Sequence, residues 1–347
     1  MQDILKNLVY IRGKQMRKNL YKILLVTLIA TSTVLYGCGA KNNDVNANSN
    51  KTVAESKEVS KATYPVTVKN YDGNDLVVKE EPSKIASLTL GMDEMLLEMV
   101  EDDKVVGLSG KNADDKAVSN VADKATKFSK IENNIEVLLA EKPDLVIGSS
   151  WIKKEFLEQL KENNITYYGY KTPETIEKQK EIIMDLSKIV GNEEKGKEIV
   201  KDIDTRLEKV QKTIKDSKFK DVKVMAYNMH GSSNGKNTIF DDIVKNIDAV
   251  NVSSEAGIEG VAKISKEKII ELNPEVLVLM AWEKDDLKEF EAFAEDLKND
   301  KSLENVDAIK NGRVYIASNR YMTSVSQHII EGVEFMAESI YKDVYKK

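Results

Sequence analysis

Two glutamates set in the same short context carry the most informative spacing in this chain. Asn134 opens the segment NIEVLLAEKPDLVIGS, and Ser265 opens SKEKIIELNPEVLVLM. Each opening residue is a small polar helix N-cap. The glutamate two positions later, Glu136 or Glu267, falls in the first helical turn, where negative charge suits the helix dipole. Other chemistry-bearing groups are sparse. The imidazoles are His230 and His328, and Cys38 is the only cysteine. One cysteine excludes an internal disulfide and a cysteine-ligated cluster. There is no Gly-rich phosphate loop and no Ser-His-Asp order, so the inventory points to binding rather than catalysis.

The elements that must position these residues follow from the same two segments. Pro143 and Pro274 stand seven residues beyond their glutamates and stop each helix, and an apolar strand, DLVIG or EVLVL, comes next. Two copies of helix, stop and strand this far apart mean two similar lobes with a cleft between them, not a tandem stack of short repeats. The expected class is α/β, each lobe a mostly parallel sheet flanked by helices. In the first lobe, residues 64–173, KIASLTL, KVVGLSG, DLVIGSS and ITYYGY read as strands, with MDEMLLEMV and FLEQLKENN as helices. In the second, residues 217–347, KVMAYNM, EVLVLMA and RVYIAS read as strands, with TIFDDIVKNI and FAEDLKND as helices. Residues 174–216 form the connection. Ile199, Val200, Ile203, Leu207, Val210 and Ile214 make a one-sided stripe that predicts one long rigid helix from Glu193 to Lys215, roughly 35 Å in length. A stiff connector of this kind predicts small lobe movements.

Ligands of open parallel sheets lie beyond the carboxyl ends of the strands. That rule selects Met92, Trp151 and Tyr170 in the first lobe, and His230, Trp282, Arg320 and Tyr321 in the second. Both tryptophans follow equivalent strands. Each can cap a hydrophobic cluster, or the two can face a flat ligand across the cleft. The Arg320 fork can hold a carboxylate or a catecholate oxygen, whereas Arg313, in the turn NGRVY, reads as structural. His230 follows a strand and can serve as an axial haem ligand. His328, in SQHIIEGVEFMAESI, reads as a packing or cap residue.

Residues 1–37 read as a secretory signal: a basic head, then an apolar run too short for a membrane span, with Met16 a candidate start. LYGC, ending at Cys38, resembles the lipobox of bacterial lipoproteins, with Tyr36 where a small residue is usual. It implies lipidation of Cys38. Residues 38–63 read as a polar tether with a reach of roughly 25–30 Å. The whole sequence carries a net charge of −6, and because its leader is basic the remainder is more acidic still. That balance argues against nucleic acid.

From Tyr64 to the end, the chain resembles the substrate-binding proteins of ABC importers that deliver ferric siderophores, haem or cobalamin. The segments carrying the resemblance are KIASLTLGMDEMLLEMVEDDKVVGL, IEVLLAEKPDLVIG, TIFDDIVKNIDAVNV, ISKEKIIELNPEVLVL and NGRVYIAS. The resemblance implies that Glu136 and Glu267 dock on arginines of the two permease subunits, which work with their ATPase. It implies a transported metal chelate, a ferric siderophore or alternatively cobalamin or haem, and no permanently bound cofactor or resident metal. For haem, Met92 would partner His230. It further implies a monomer without enzymatic activity, extracytoplasmic and lipid-anchored to the cell membrane. Two alternatives stand beside it. A chelatase-like enzyme could use the same fold, but would not need a lipobox. An importer protein for bare zinc or manganese would need more histidines than two.

Overall fold

In the computed structural model, residues 63–281 and 287–345 are described; the signal segment, Cys38, the tether and Trp282 lie outside them. A small hairpin comes first, β1 (Val66–Lys69) pairing antiparallel with β2 (Asp75–Val78). The first parallel sheet contains β3 (Ile85–Ser87), β4 (Val105–Leu108), β5 (Ser129–Lys130), β6 (Leu145–Ser149) and β7 (Thr166–Tyr170), in the order β5-β4-β3-β6-β7. All its pairings are parallel. Helices α1 (Leu90–Met99), α2 (Ile135–Glu141) and α3 (Lys154–Glu162) lie in its crossovers.

The segment KIASLTL is shorter as a strand than its composition suggests. The strand ends at Ser87, Thr89 takes an extended N-cap conformation, and α1 begins at Leu90. Met92 is helical, as the reading of MDEMLLEMV as a helix expects. Together with Met95, Leu96 and Met99 it is buried in the core, and it is not at the cleft surface where a strand-tip position would have put it. The physical reason is that α1 packs most of its circumference into the core, with Met92, Met95, Leu96, Leu97 and Met99 all buried and Glu98 left on the exposed side.

The connector comprises α4 (Ile176–Ile189) and α5 (Glu193–Ile214). Thr175 caps the first by accepting from the backbone N–H of Lys178, and Asn192 caps the second by accepting from that of Lys195. The 22 residues of α5 rise about 33 Å at 1.5 Å each. Its buried side is Ile199, Ile203, Val210 and Ile214, with Val200 and Leu207 packed alongside, which is the stripe read from the sequence.

The second sheet contains β8 (Lys223–Ala226), β10 (Val250–Asn251), β12 (Val276–Ala281) and β13 (Val314–Ser318), all parallel, in the order β10-β8-β12-β13. Between them β9 (Ser232–Asn234) and β11 (Val261–Lys263) form an antiparallel ribbon. Helices α6 (Ile239–Asn246), α7 (Lys266–Leu272), α8 (Leu287–Asn299), α9 (Asn319–Met322) and α10 (Ile329–Ile340) flank the sheet, with further single turns of helix at Val252–Glu255, Asp307–Lys310 and Lys342–Tyr345. The two sheets share a plan: β6 lies between β3 and β7 just as β12 lies between β8 and β13. The strands of the repeated segments thus hold equivalent places. One hydrophobic cluster runs through both sheets and the connector, from Ile85 and Leu145 through Ile183 and Ile203 to Val224 and Val278. Helix α10 is clamped to α5 by a two-point fork: Arg206 Nε donates to Glu334 Oε1 at 2.9 Å and Nη2 to Oε2 at 2.7 Å. A shared core and a bidentate clamp are what make the connection stiff. Among the described residues, no helix is long and apolar enough to cross a membrane.

Candidate functional site

The two copies of the repeated motif are built alike down to their caps. Asn134 Oδ1 accepts from the backbone N–H groups of Glu136 and Val137, at 2.9 and 3.3 Å. Ser265 Oγ accepts from Lys268 N at 3.3 Å. Each helix ends in a left-handed residue, Lys142 (φ 53) or Asn273 (φ 41). The proline then follows, because the residue before a proline is disfavoured in the right-handed helical region. The helix stop therefore lies one residue earlier than the proline itself. Glu136 and Glu267 are both exposed, and exposed aliphatic side chains, Val137 and Ile270, stand on the same helices. The Ser265 hydroxyl, the residue's own backbone N–H and the Lys266 ammonium hold the Glu267 carboxyl below its usual range.

A second polar group gathers where the carboxyl ends of the two sheets meet. In the first sheet the strand order reverses at β3 and β6, and in the second at β8 and β12; such reversals open a crevice at the strand ends. A cavity of ≈ 210 Å³ lies against the N-terminal end of α1, lined among others by Thr89, Glu94, Tyr170, Arg320, Thr323 and Ser324. Tyr170 closes β7 and shares a 3.0 Å hydrogen bond between its hydroxyl and Thr89 Oγ1. Burial pushes that phenol up to about 12 against the opposing Thr89 bond, and the nearby Asp93 adds to the rise.

Arg320, from α9 beyond β13, reaches across to the segment between β4 and β5. Its Nε donates to Asn120 Oδ1 at 2.6 Å and its Nη1 to the Lys116 carbonyl at 3.1 Å. Its guanidinium also sits 5.4 Å from the ring centroid of Tyr321. Asn120 donates both its backbone N–H (2.8 Å) and its Nδ2 (2.9 Å) to Glu94 Oε1. Glu94 Oε2 accepts in turn from Ser326 Oγ at 2.5 Å, on the segment leading into α10. Beside it Asp93 accepts from Ser109 N and Oγ. Burial lifts the Asp93 carboxyl to about 7, the Ser109 and Ser87 hydrogen bonds oppose that rise, and the negative charge of Glu94 adds to it.

The cavity thus brings together Tyr170 and Arg320 of the residues selected from the sequence. Trp151 stands apart, on the turn after β6, 81% exposed, its indole N–H donating to Thr172 Oγ1 at 3.2 Å. His230 is exposed in the turn between β8 and β9, where its backbone N–H is held by Asn228 Oδ1. Neither His230 nor the buried Met92 lines the cavity. His328 is the N-cap residue of α10, its Nδ1 3.5 Å from Glu331 Oε1. A second cavity, ≈ 230 Å³, lies between α5 and α10 and is lined by Glu98, Lys195, Asp202, Arg206, His328 and Glu331 among others. Most of its charges are matched to one another, Lys195 to Glu98 and Arg206 to Asp202 and Glu331, which is the chemistry of a structural seam. Among the described residues, no group of three or more His, Cys, Asp or Glu is placed to hold a metal ion.

Glu94, Asn120 and Ser326 escaped the sequence reading. A usable signal was there for the first: Asp93 and Glu94 stand side by side among the apolar residues of a helix whose other acid, Glu98, is exposed, and buried carboxylates require partners.

Two parallel α/β sheets on a stiff helical connector, with a polar cavity at their carboxyl ends, define a two-lobed ligand-binding protein. A family model described as "Periplasmic binding protein" matches residues 85–321, and the chain belongs to that family. It is 27% identical over 327 residues to an uncharacterized ABC transporter substrate-binding lipoprotein of Bacillus subtilis, covering 92% of this chain and 97% of the relative. It is 24% identical over 312 residues to the iron-uptake system-binding protein of the same organism, covering 87% and 91%. Among solved structures, a periplasmic binding protein from Veillonella parvula superposes with a TM-score of 0.69 at 22% identity, covering 80% of this chain and 99% of that one.

Proposed function

We propose that this protein is the substrate-binding lipoprotein of an ABC importer, and that it captures an iron chelate, a ferric siderophore, and hands it to the permease. The observation that carries the ligand reading is Arg320, a guanidinium that lines the cavity at the junction of the two sheets. Only two of its five N–H donors are committed to the first lobe among the described bonds. It offers a planar fork to a carboxylate or catecholate oxygen, with the Tyr170 and Thr89 hydroxyls close by. The likeness to an iron-uptake binding protein supports the same reading. Haem is less well served, since Met92 and His230 do not meet at the cavity.

At ≈ 210 Å³ the cavity is below the roughly 300–1,000 Å³ of small-molecule sites. Loading therefore widens it, with Trp151 on the turn after β6 available to cover a ligand and Trp282, next in sequence after β12, the second tryptophan proposed to contact it. Glu136 and Glu267, equivalent and exposed on the two lobes, are the docking contacts for the permease and its ATPase. Cys38 carries the lipid that holds the protein, as a monomer, on the outer face of the cell membrane.

Fluorescence titration tests the ligand. Ferric tris-catecholate, ferric citrate, haemin and cyanocobalamin would each be added to the protein and tryptophan quenching followed. Saturable quenching by a ferric chelate at micromolar concentration or below, markedly weakened but still measurable in Arg320→Ala, is the expected result. Tight binding of haemin or cyanocobalamin alone would replace the siderophore reading.

A further inference from the structure

Arg320 does not find its position unaided. Its Nε–H meets the carbonyl oxygen of the Asn120 side chain, and the opposite end of that amide, Nδ2, donates to Glu94 Oε1. A carboxylate can only accept and a guanidinium can only donate. With one on each side, the amide has a single workable orientation: NH₂ toward Glu94, oxygen toward Arg320. Glu94 is 2% exposed and also receives the Asn120 backbone N–H and the Ser326 hydroxyl. Three donors converge on one buried carboxylate, two from the first lobe and one from the second, and Gln327 Nε2 donates to the Glu94 backbone carbonyl at 3.3 Å. A buried charge this well satisfied has no latitude to move, and its neighbours inherit that rigidity.

We propose that Glu94 is a positioning residue for the ligand contact: through Asn120 it holds the Arg320 guanidinium in a preset orientation, and through Ser326 it ties the second lobe to the first at the cavity. Arg320 is then presented to an anionic chelate without having to be ordered at the moment of binding, which lowers the cost of capture. The proposal rests on the reading of Arg320 as the ligand's contact, but its structural half does not need a ligand to be examined.

The first arm of the test uses the ligand-free full chain labelled with ¹⁵N-arginine. The Arg320 Nε–H signal, assigned by its loss in Arg320→Lys, reports the relay directly. In Glu94→Gln a neutral acceptor replaces the carboxylate, and exchange of that proton with water is expected to rise about threefold or more. In Asn120→Ala it rises further, and adding Glu94→Gln to Asn120→Ala brings no additional increase. An unchanged rate in Glu94→Gln, or an effect that simply adds to that of Asn120→Ala, overturns the relay. The second arm measures binding of ferric tris-catecholate. Glu94→Gln weakens it in the natural background and leaves it unchanged in Arg320→Ala; equal weakening in both backgrounds would show a merely structural role and overturn the proposal. If the natural protein binds neither this probe nor ferric citrate, the ligand reading fails and the relay is decided by the exchange arm alone.

Discussion

Gly91 lies so close to Val325 that a Cβ added to the glycine would come within 2.4 Å of the Val325 carbonyl oxygen. One residue is the second of α1 in the first lobe; the other belongs to the segment leading into α10 of the second. Backbone meets backbone here, beside the Glu94–Ser326 hydrogen bond, and the absent side chain is what allows the lobes to approach at the cavity. Gly91→Ala should therefore force the lobes apart locally. The expected cost is about 1–3 kcal/mol of stability, the usual range for overpacking, read as a lower urea midpoint with an unchanged slope. An unchanged midpoint would mean that the 324–326 segment yields freely, and the close approach would then carry no weight.

Asp93 gives a pH dependence of determined sign. Burial raises its folded-state carboxyl from 3.8 to about 7, so between those pH values the folded protein holds a proton that the unfolded chain releases. Stability from this group is therefore greatest at low pH, falls as pH rises from 3.8 to about 7, and is flat above that. Asp93→Asn mimics the protonated form and can still accept from Ser109 N. Its advantage over the natural protein should grow from nothing near pH 4 to its full value above pH 7, measured as the difference between two urea-unfolding series. A constant difference across that window would rule out titration of Asp93 as the cause.

The docking reading separates capture from delivery. Glu136→Ala and Glu267→Ala stand on exposed helix starts outside the cavity, so chelate affinity should remain within about twofold, while uptake into cells is abolished or sharply reduced in the double variant. Substituting either glutamate removes at most a dipole contribution of about 0.3–1 kcal/mol from its helix, too little to unfold a lobe. Normal uptake by the double variant would end the docking assignment.

The Arg206–Glu334 fork predicts a stiff connection. Arg206→Lys keeps the charge but loses the two-point geometry, at a cost of about 1 kcal/mol in chemical unfolding. Scattering curves of the natural protein with and without chelate should nearly coincide, since α5 packs along the shared core. A change in radius of gyration of several ångströms on loading would contradict the stiffness argued from that packing.

Much of this architecture was legible in the chain because it is locally encoded. The apolar period of residues 199–214 determines which face of α5 is buried. The N-caps Asn134 and Ser265 and the stops at Pro143 and Pro274 mark two equivalent helices, and the runs DLVIG and EVLVL become central strands of two sheets. Arg320 and Tyr170 come together at one cavity because strand ends in a parallel sheet point to a common crevice, a rule that needs only the order of elements. What the chain could not disclose was which side chains meet across that crevice. Arg320 and Asn120 are 200 positions apart and Ser326 and Glu94 are 232 apart, and no local period records such pairs. The same limit explains Met92, whose place just past a strand suggested the cleft while the packing of α1 on the core made it interior. Periodicity and capping depend on residues a few positions away, so sequence determines them; burial of a charge and alignment of a guanidinium depend on which surfaces the folded lobes bring together, and only the tertiary structure decides that.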